Sequence, residues 1–211
     1  MNGTQIIFGH HKGRPAAARM VNGRLDDLLI DGGDDRPGLG TVFRAICDRP
    51  VKGQGGMFVK LGNGLTGWHR NAKGLAPGQA EPGKAIPVTD RVLFKSRYCI
   101  VTPGAPGLNV ARSLTDDEDR DRLLEIANDA VPDRDGHGII LRTACEGIDE
   151  STLTDDLTQT WGVAMQVLDD PGTDAERLLD GPDAHALAWR DWAGTEISED
   201  WATVEDQLDA L

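Results

Sequence analysis

Two aromatic residues and a lysine form the first group of side chains that could bind a ligand. Phe58 and Trp68 fall in two neighbouring strand-like segments, and Lys84 follows a loop-like stretch rich in proline and glycine. Aromatic side chains exposed on a strand can stack on unpaired bases, which contributes about 1–3 kcal/mol per base. A nearby lysine can contact a phosphate as a point charge. Two core aromatics are the alternative, but the polar neighbours His69 and Arg70 favour a solvent-facing Trp68.

The dipeptide Arg142-Thr143 marks a second candidate site. It follows the short apolar run 138–141, where a strand would open into a loop. A guanidinium offers paired donors, and a hydroxyl with a backbone N–H adds more, which suits a terminal phosphate. Taken alone, the dipeptide is more often a surface arginine followed by a turn threonine. Both interpretations stay open at this level.

The carboxylates and cysteines predict neither a catalytic centre nor a metal site. Cleavage of a phosphodiester by Mg²⁺ needs clustered carboxylates at a buried strand end. The paired aspartates at 116–117, 155–156 and 169–170 fall on helix-like segments instead, and the histidines suggest no nucleophile–base pair. The three cysteines form no Cys-x-x-Cys pair, so neither a zinc site nor a disulfide framework is indicated.

The charge of the chain is unevenly distributed. The formal net charge is −13, yet residues 1–114 hold 16 Lys/Arg against 8 Asp/Glu, whereas residues 115–211 hold 6 against 27. The excess is concentrated in residues 36–112, with 12 basic and 3 acidic residues. Such asymmetry favours a polyanion-binding surface on the basic half. A purely solubilising role for the acidic half is the alternative.

The hydrophobic pattern predicts the elements that would position these residues. Strands are expected at 5–8, 16–21 and 25–30, with a hairpin at Asn22-Gly23. Further strands are expected over 41–47, 57–61, 67–70, 91–102 and 138–141. Helices are expected over about 116–130, begun by a Thr115–Glu118 capping box, and over about 151–169. The acidic tail, 174–211, predicts two or three short helices around a strand at 195–198.

No apolar stretch approaches the roughly 18 residues that span a bilayer, and Met1–Phe8 lacks the pattern of a signal peptide. The default prediction is a soluble cytoplasmic protein with no membrane partner.

Several segments, in order, resemble the RNase E/G family of endoribonucleases. These segments are Gly55–Leu61 with Leu65–Trp68, Lys84–Thr89, Ser96–Pro103, Asn109–Arg112 and Ile139–Ala144. The resemblance implies an α+β fold in which an RNase H-like subdomain is split by two inserted modules. Its parts would be residues 1–36 and 181–211. The inserts would be an OB-type RNA-binding barrel at 37–91 and a sensor of the RNA 5′-monophosphate at 92–180.

The resemblance also implies roles for individual residues. The residues expected to bind RNA are Phe58 and Trp68 by stacking, and Lys84, Lys60 and Arg70 through the backbone. The residues expected at the 5′-phosphate are Arg142 and Thr143 as direct ligands, with Ser96, Ile100 and Arg112 completing the pocket. The implied partner is single-stranded RNA, and no small-molecule cofactor is expected.

Three features depart from the family pattern. The catalytic domain with its Mg²⁺-binding aspartates would follow Leu211, so we expect this chain alone to be inactive and to hold no cofactor. The Cys-Pro-x-Cys zinc link that joins protomers is missing, although a homo-oligomer is compatible with the sequence. A barrel strand expected near residues 79–81 is also missing.

The resemblance implies an RNase E/G-like protein of RNA processing and mRNA decay that binds single-stranded RNA and senses its 5′ end. The first alternative is a complete, non-catalytic RNA-binding adaptor. The second is a protein-interaction module whose acidic half binds a basic partner.

Overall fold

The computed structural model describes residues 3–33, 37–51, 55–70, 86–192 and 196–210. Their strands form three four-stranded sheets and one two-stranded pair. The strands are β1 (Thr4–His11), β2 (Arg14–Val21), β3 (Arg24–Ile30), β4 (Val42–Arg44), β5 (Ile46–Val51), β6 (Gly56–Gly62), β7 (Leu65–Arg70), β8 (Ile86–Val88), β9 (Phe94–Lys95), β10 (Cys99–Thr102), β11 (Gly107–Val110), β12 (Gly138–Leu141), β13 (Glu176–Leu179) and β14 (Glu196–Ser198). The helices are α1 (Asp117–Ala130), α2 (Glu150–Leu168), α3 (Ala184–Asp191) and α4 (Trp201–Leu208). The predicted α+β class is confirmed.

The first sheet has the strand order β14–β1–β2–β3. Its two hairpins turn at Lys12-Gly13 and Asn22-Gly23, where all four residues have positive φ between 51° and 78°. This is the geometry of tight two-residue hairpins, so the predicted Asn22-Gly23 turn is confirmed. Strand β14 pairs in parallel with β1, placing Ile197 beside Ile6. The sheet therefore joins segments that are distant in sequence.

Helices α3 and α4 cover opposite faces of this sheet. Ile6 and Ala17 pack with Ala188 of α3, whereas their neighbours Ile7 and Ala18 pack with Val204 of α4. Successive residues of a strand point to opposite faces, which explains why both faces are apolar here.

The second sheet has the order β11–β12–β10–β9 and is covered on one face by α1 and α2. The buried residues that form this core include Cys99, Val110, Leu123, Ile126, Ile139, Leu141, Leu153 and Leu157. Both predicted helices are confirmed within one residue of their expected limits. Each begins at an aspartate: Asp116 accepts a hydrogen bond from the Asp119 N–H, and Asp149 accepts one from the Thr152 N–H. The predicted Thr115–Glu118 capping box is wrong, because Asp116 takes the N-cap position.

The third sheet has the order β5–β6–β7–β8 and buries Met57, Val59 and Leu61 on its inner face. Over the described parts of residues 37–91 the sheet is open, so a closed barrel is not confirmed. The predicted missing strand near 79–81 lies outside the described residues.

Two predicted strands are each divided in the structure. The segment 41–47 divides at Ala45 into β4 and β5, because β4 pairs with β13 and not with the third sheet. Arg44 fixes this pairing through ion pairs of 2.6 Å with Asp170 and with Glu176. The segment 91–102 divides into β9 and β10 at a turn in which the Ser96 hydroxyl accepts hydrogen bonds from the N–H groups of Tyr98 and Cys99.

Candidate nucleic-acid interface

The outer face of the third sheet carries the aromatic and basic residues identified from the sequence. Along β6, Met57 and Val59 are buried, Phe58 is half-buried and Lys60 is exposed. This two-residue alternation turns Phe58 and Lys60 away from the core.

Strand β7 places a matching set beside them. Gly67 and His69 are buried, whereas Trp68 is half-buried and Arg70 is exposed. In the antiparallel register Phe58 lies directly opposite Trp68. The structure thus brings four of the five predicted RNA-binding residues onto one face. The fifth, Lys84, lies outside the described residues.

The Phe58 and Trp68 rings contact each other edge to face. Their centroids are 5.0 Å apart and their planes are inclined at 63°. Because the two ring planes are inclined, a base that stacks on one ring would not be parallel to the other. Such a surface suits unstacked bases better than a paired helix.

A glycine lets the Trp68 indole lie across the sheet. A Cβ atom at Gly56 would lie 2.4 Å from Trp68 Cζ2 and 2.7 Å from the His69 carbonyl oxygen. Any side chain at this position would therefore displace the indole. The ring position is set by this contact from one side and by Phe58 from the other.

A cavity of about 560 Å³ lies on the opposite, inner side of the same sheet. Its lining includes Val59, Leu61 and His69, and none of the outward-facing residues Phe58, Lys60, Trp68 and Arg70. This cavity therefore does not coincide with the aromatic face. Recognition of a flexible strand on an open surface does not require it.

Arg142 is the centre of the second candidate site. Its guanidinium Nη1 donates to the carbonyl oxygens of Ser96, at 2.5 Å, and Arg190, at 3.0 Å. Its Nη2 donates to the Asp191 carboxylate at 2.8 Å. The side chain is 22% exposed. The guanidinium is therefore anchored at the surface by three oxygen acceptors.

Thr143 follows directly at the start of a single 3-10 turn, Thr143–Cys145. Its hydroxyl lies 2.7 Å from that of Ser113, and both residues are exposed. Ser113 adjoins Arg112, which is also exposed, in the segment after β11. Two hydroxyls thus lie together, and each belongs to a residue that directly follows an arginine in the chain.

Ser96 contacts Arg142, whereas Ile100 lies in β10 opposite Ile140 of β12. The Ser96 carbonyl contacts the guanidinium, but the Ser96 hydroxyl is directed inward and donates to Asp156 at 2.5 Å. Burial raises the pKa of Asp156, and the hydrogen bond from Ser96 partly offsets that rise. Ile100 pairs with Ile140 and is half-buried. Its side chain emerges on the sheet face opposite the buried Cys99 and Val101, as expected from strand alternation.

The end of α3 contributes residues that no motif in the sequence marks. Asp191 pairs with Arg142, and the Arg97 guanidinium lies 4.1 Å from the ring centroid of Trp189. Arg97 also donates to the Trp189 carbonyl oxygen. No local pattern links these residues, because Arg142 and Asp191 are 49 positions apart.

The sequence model of the Ribonuclease E/G family matches residues 94–209, which is more than half of the chain. The chain belongs to this family. Ribonuclease G of Escherichia coli strain K12 is similar to it, with 29% identity over 86 residues. Ribonuclease G of Shigella flexneri and of Salmonella typhimurium strain SL1344 match to the same extent. These alignments cover 39% of this chain but only 17% of each relative.

The Ribonuclease E/G match includes one candidate surface and not the other. Arg142, Thr143, Ser96, Ile100 and Arg112 lie within residues 94–209. The Phe58–Trp68 face precedes them and lies outside the match, so its assignment rests on local geometry and on resemblance.

The described residues of this Ribonuclease E/G chain hold no group of three or more His, Cys, Asp or Glu side chains that could bind a metal ion. In the same residues, no helix is both long and apolar enough to cross a membrane.

Proposed function

We propose that this chain binds single-stranded RNA and recognises a 5′-monophosphate, as a portion of a cytoplasmic Ribonuclease E/G-type system for RNA processing and decay. In this proposal residues 1–36 and 181–211 form an RNase H-like subdomain. Residues 37–91 form an OB-type module and residues 92–180 form the 5′ sensor. Family membership supports the connection to ribonucleases.

The observation that carries the proposal is the cluster around Arg142. At the end of β12, Arg142 presents a partly exposed guanidinium, and the next residue, Thr143, places its hydroxyl 2.7 Å from that of Ser113. A phosphate monoester carries about 1.5–2 negative charges at neutral pH and offers three acceptor oxygens. A guanidinium fork with nearby hydroxyls supplies the donors that such a group prefers. An RNA with a 5′-hydroxyl lacks these acceptors.

The Phe58–Trp68 face provides the second contact in this proposal. Bases of the strand would stack on the two rings, and Lys60 and Arg70 would contact phosphates from the same face. Base stacking is tolerant of sequence because every base presents a π face. RNA recognition, rather than RNA cleavage, is the task that we assign to both surfaces.

The test compares short single-stranded RNAs that differ only in a 5′-phosphate or a 5′-hydroxyl. We expect wild-type protein to bind the phosphorylated RNA about tenfold more tightly, and Arg142→Gln to lose most of that preference, because charge-assisted bonds to phosphate are lost. The matched control is Arg177→Gln, which removes an arginine paired with Asp180 at 2.6 Å. The variant Asp191→Asn removes the charge of the carboxylate that is paired with Arg142. Equal binding of the two RNAs by both wild type and this variant would show that the proposed sensing is wrong.

A further inference from the structure

The Asp191 carboxylate is held between two guanidinium groups. Its Oδ1 accepts hydrogen bonds from Arg142 Nη2, at 2.8 Å, and from Arg190 Nε, at 3.1 Å. Its Oδ2 accepts from Arg190 Nη2 at 2.6 Å. One anion thus occupies the point where two arginines converge.

The two guanidinium groups therefore form an anion-binding site, and the Asp191 carboxylate occupies it. Guanidinium groups bind carboxylate and phosphate oxygens with the same paired N–H geometry. Partial burial raises the pKa of Asp191, but the hydrogen bonds from Arg190 and Arg142 outweigh this effect and leave the pKa below its ordinary value. Asp191 is therefore ionised at neutral pH and presents a negative charge to the arginines, as a phosphate would.

The same end of α3 is attached to the turn that lies beside Arg142. Arg97 donates to the Trp189 carbonyl and stacks on the Trp189 ring, which is 45% exposed. The Arg190 carbonyl accepts from Arg142. Residues 189–191 are thus held at the candidate phosphate site independently of the Asp191 side chain.

We propose that Asp191 is an internal competitor for the 5′-phosphate and that Arg190 is a second guanidinium ligand of the same site. A bound phosphate displaces the Asp191 carboxylate from Arg142 and takes up donors of both arginines. This inference rests on the proposed function of Arg142. It adds a competing group and a ligand that the sequence and the family resemblance do not assign.

The main test measures the affinity of the full chain for 5′-phosphorylated and 5′-hydroxyl RNA decamers after Asp191→Asn. An asparagine has almost the same shape but no charge, so it competes less well for the arginines. We expect about three- to tenfold tighter binding of the phosphorylated RNA and unchanged binding of the hydroxyl form. Asp191→Ser, which removes the competing carboxylate without introducing an amide, is expected to give the same result.

Asp180→Asn is the matched control for this substitution. Asp180 is also paired with an arginine, Arg177, at 2.6 Å, so its loss changes the net charge equally. We expect no change in the preference for phosphorylated RNA. If Asp191→Asn and Asp180→Asn raise the affinity for both RNAs equally, the effect is due to net charge and the proposed competition is wrong.

The role of Arg190 is tested in a background without the competitor. The double variant Arg190→Gln/Asp191→Asn is compared with Asp191→Asn, because neither has a charged residue 191. We expect the double variant to bind phosphorylated RNA about threefold to tenfold more weakly, with no change for 5′-hydroxyl RNA. Equal affinities would exclude Arg190 as a ligand.

The outcomes separate failure of this inference from failure of the proposed function. If wild type prefers phosphorylated RNA, Arg142→Gln abolishes the preference and both Asp191 variants behave like wild type, then only the competition is wrong. If both Asp191 variants unfold at a lower temperature and bind phosphorylated RNA more weakly, Asp191 is a structural partner and the competition is again wrong. If no variant distinguishes the two RNAs, the sensing function and this inference both fail.

Discussion

The two candidate RNA-binding surfaces differ in how far their binding groups are already engaged. The Phe58–Trp68 face presents rings that are fixed by each other and by Gly56. The Arg142 site presents a guanidinium that already donates to two carbonyl oxygens and one carboxylate. Binding at the first face adds contacts, whereas binding at the second exchanges them.

Because of this difference, one surface of the chain can supply most of the affinity for RNA and the other most of the selectivity. A preformed stacking surface contributes to the binding of any single strand, because little has to be rearranged. At a site whose donors are already hydrogen-bonded, binding gains only the difference in free energy between the hydrogen bonds to the new acceptors and those to the old ones. We therefore expect the aromatic face to dominate affinity and the arginine site to dominate discrimination between 5′ ends.

The largest effect is expected for Trp68→Ala. Loss of one base-stacking contact costs about 1–3 kcal/mol, which corresponds to roughly five- to 150-fold weaker binding of single-stranded RNA. Fluorescence anisotropy with 5′-phosphorylated and 5′-hydroxyl RNAs measures this loss, which should be equal for both. Trp68→Phe keeps an aromatic ring and should retain most of the affinity. If the affinity falls only for phosphorylated RNA, the proposed division of roles between the aromatic face and the arginine site is wrong.

A smaller effect is expected for Gly56→Ala. The added Cβ would overlap the Trp68 indole, so the ring must move from its present position. We expect about three- to tenfold weaker RNA binding in the same titration, as part of the stacking contribution is lost.

Gly162→Ala is the control for Gly56→Ala. It also adds one methyl group, but in α2, where the new Cβ would meet no group within 4 Å apart from the local helix backbone. This substitution should leave RNA binding unchanged and raise thermal stability slightly, since alanine favours helix more than glycine does. Unchanged RNA affinity in Gly56→Ala would show that the indole position is unimportant.

A still smaller effect is expected for Lys60→Gln. Removal of one phosphate contact to a single strand should lower affinity about twofold to fourfold at low salt. It should also make the slope of log affinity against log salt shallower by about 0.7. Isothermal titration at four salt concentrations measures both quantities. The control Lys12→Gln removes an equal charge from the β1–β2 turn and should leave the slope unchanged.

The smallest effect is expected from pH at the arginine site. The pKa of Asp191 lies below its ordinary value, so this carboxylate stays ionised from pH 5 to pH 8. The second ionisation of a 5′-phosphate has a pKa of about 6. The preference for phosphorylated RNA should therefore rise about twofold to threefold from pH 5.5 to pH 7.5. The affinity for 5′-hydroxyl RNA should not change over this pH range and serves as the reference. A preference for phosphorylated RNA that falls with rising pH would contradict this assignment.

Local patterns in the sequence were sufficient for much of the framework. The apolar periodicity of α1 and α2 and the Asn22-Gly23 turn depend on residues close together in the chain, and all three were predicted correctly. The break at Ser96 was not predicted, because it depends on hydrogen bonds from the backbone to one hydroxyl. Likewise, the division of 41–47 depends on β13, which is distant in sequence.

The candidate sites show the same limit. Phe58 and Trp68 could be predicted to lie in neighbouring strands, and the structure places them directly opposite each other. Their inclined rings could not be predicted, because the inclination depends on packing against Gly56. The contact between Arg142 and Asp191 was also out of reach, since it arises only when α3 packs against the first sheet.

The parallel pairing of β14 with β1 has a consequence for synthesis of the protein on the ribosome. Ile6 is made early, but its partner Ile197 emerges only after most of the chain has been translated. Until then the β1 edge has an unpaired row of backbone donors and acceptors, which is a template for pairing with other chains. The second sheet, with α1 and α2, lies wholly within residues 94–168 and can fold earlier. Nascent chains that stall before residue 196 should therefore contain a folded second sheet together with an aggregation-prone first sheet.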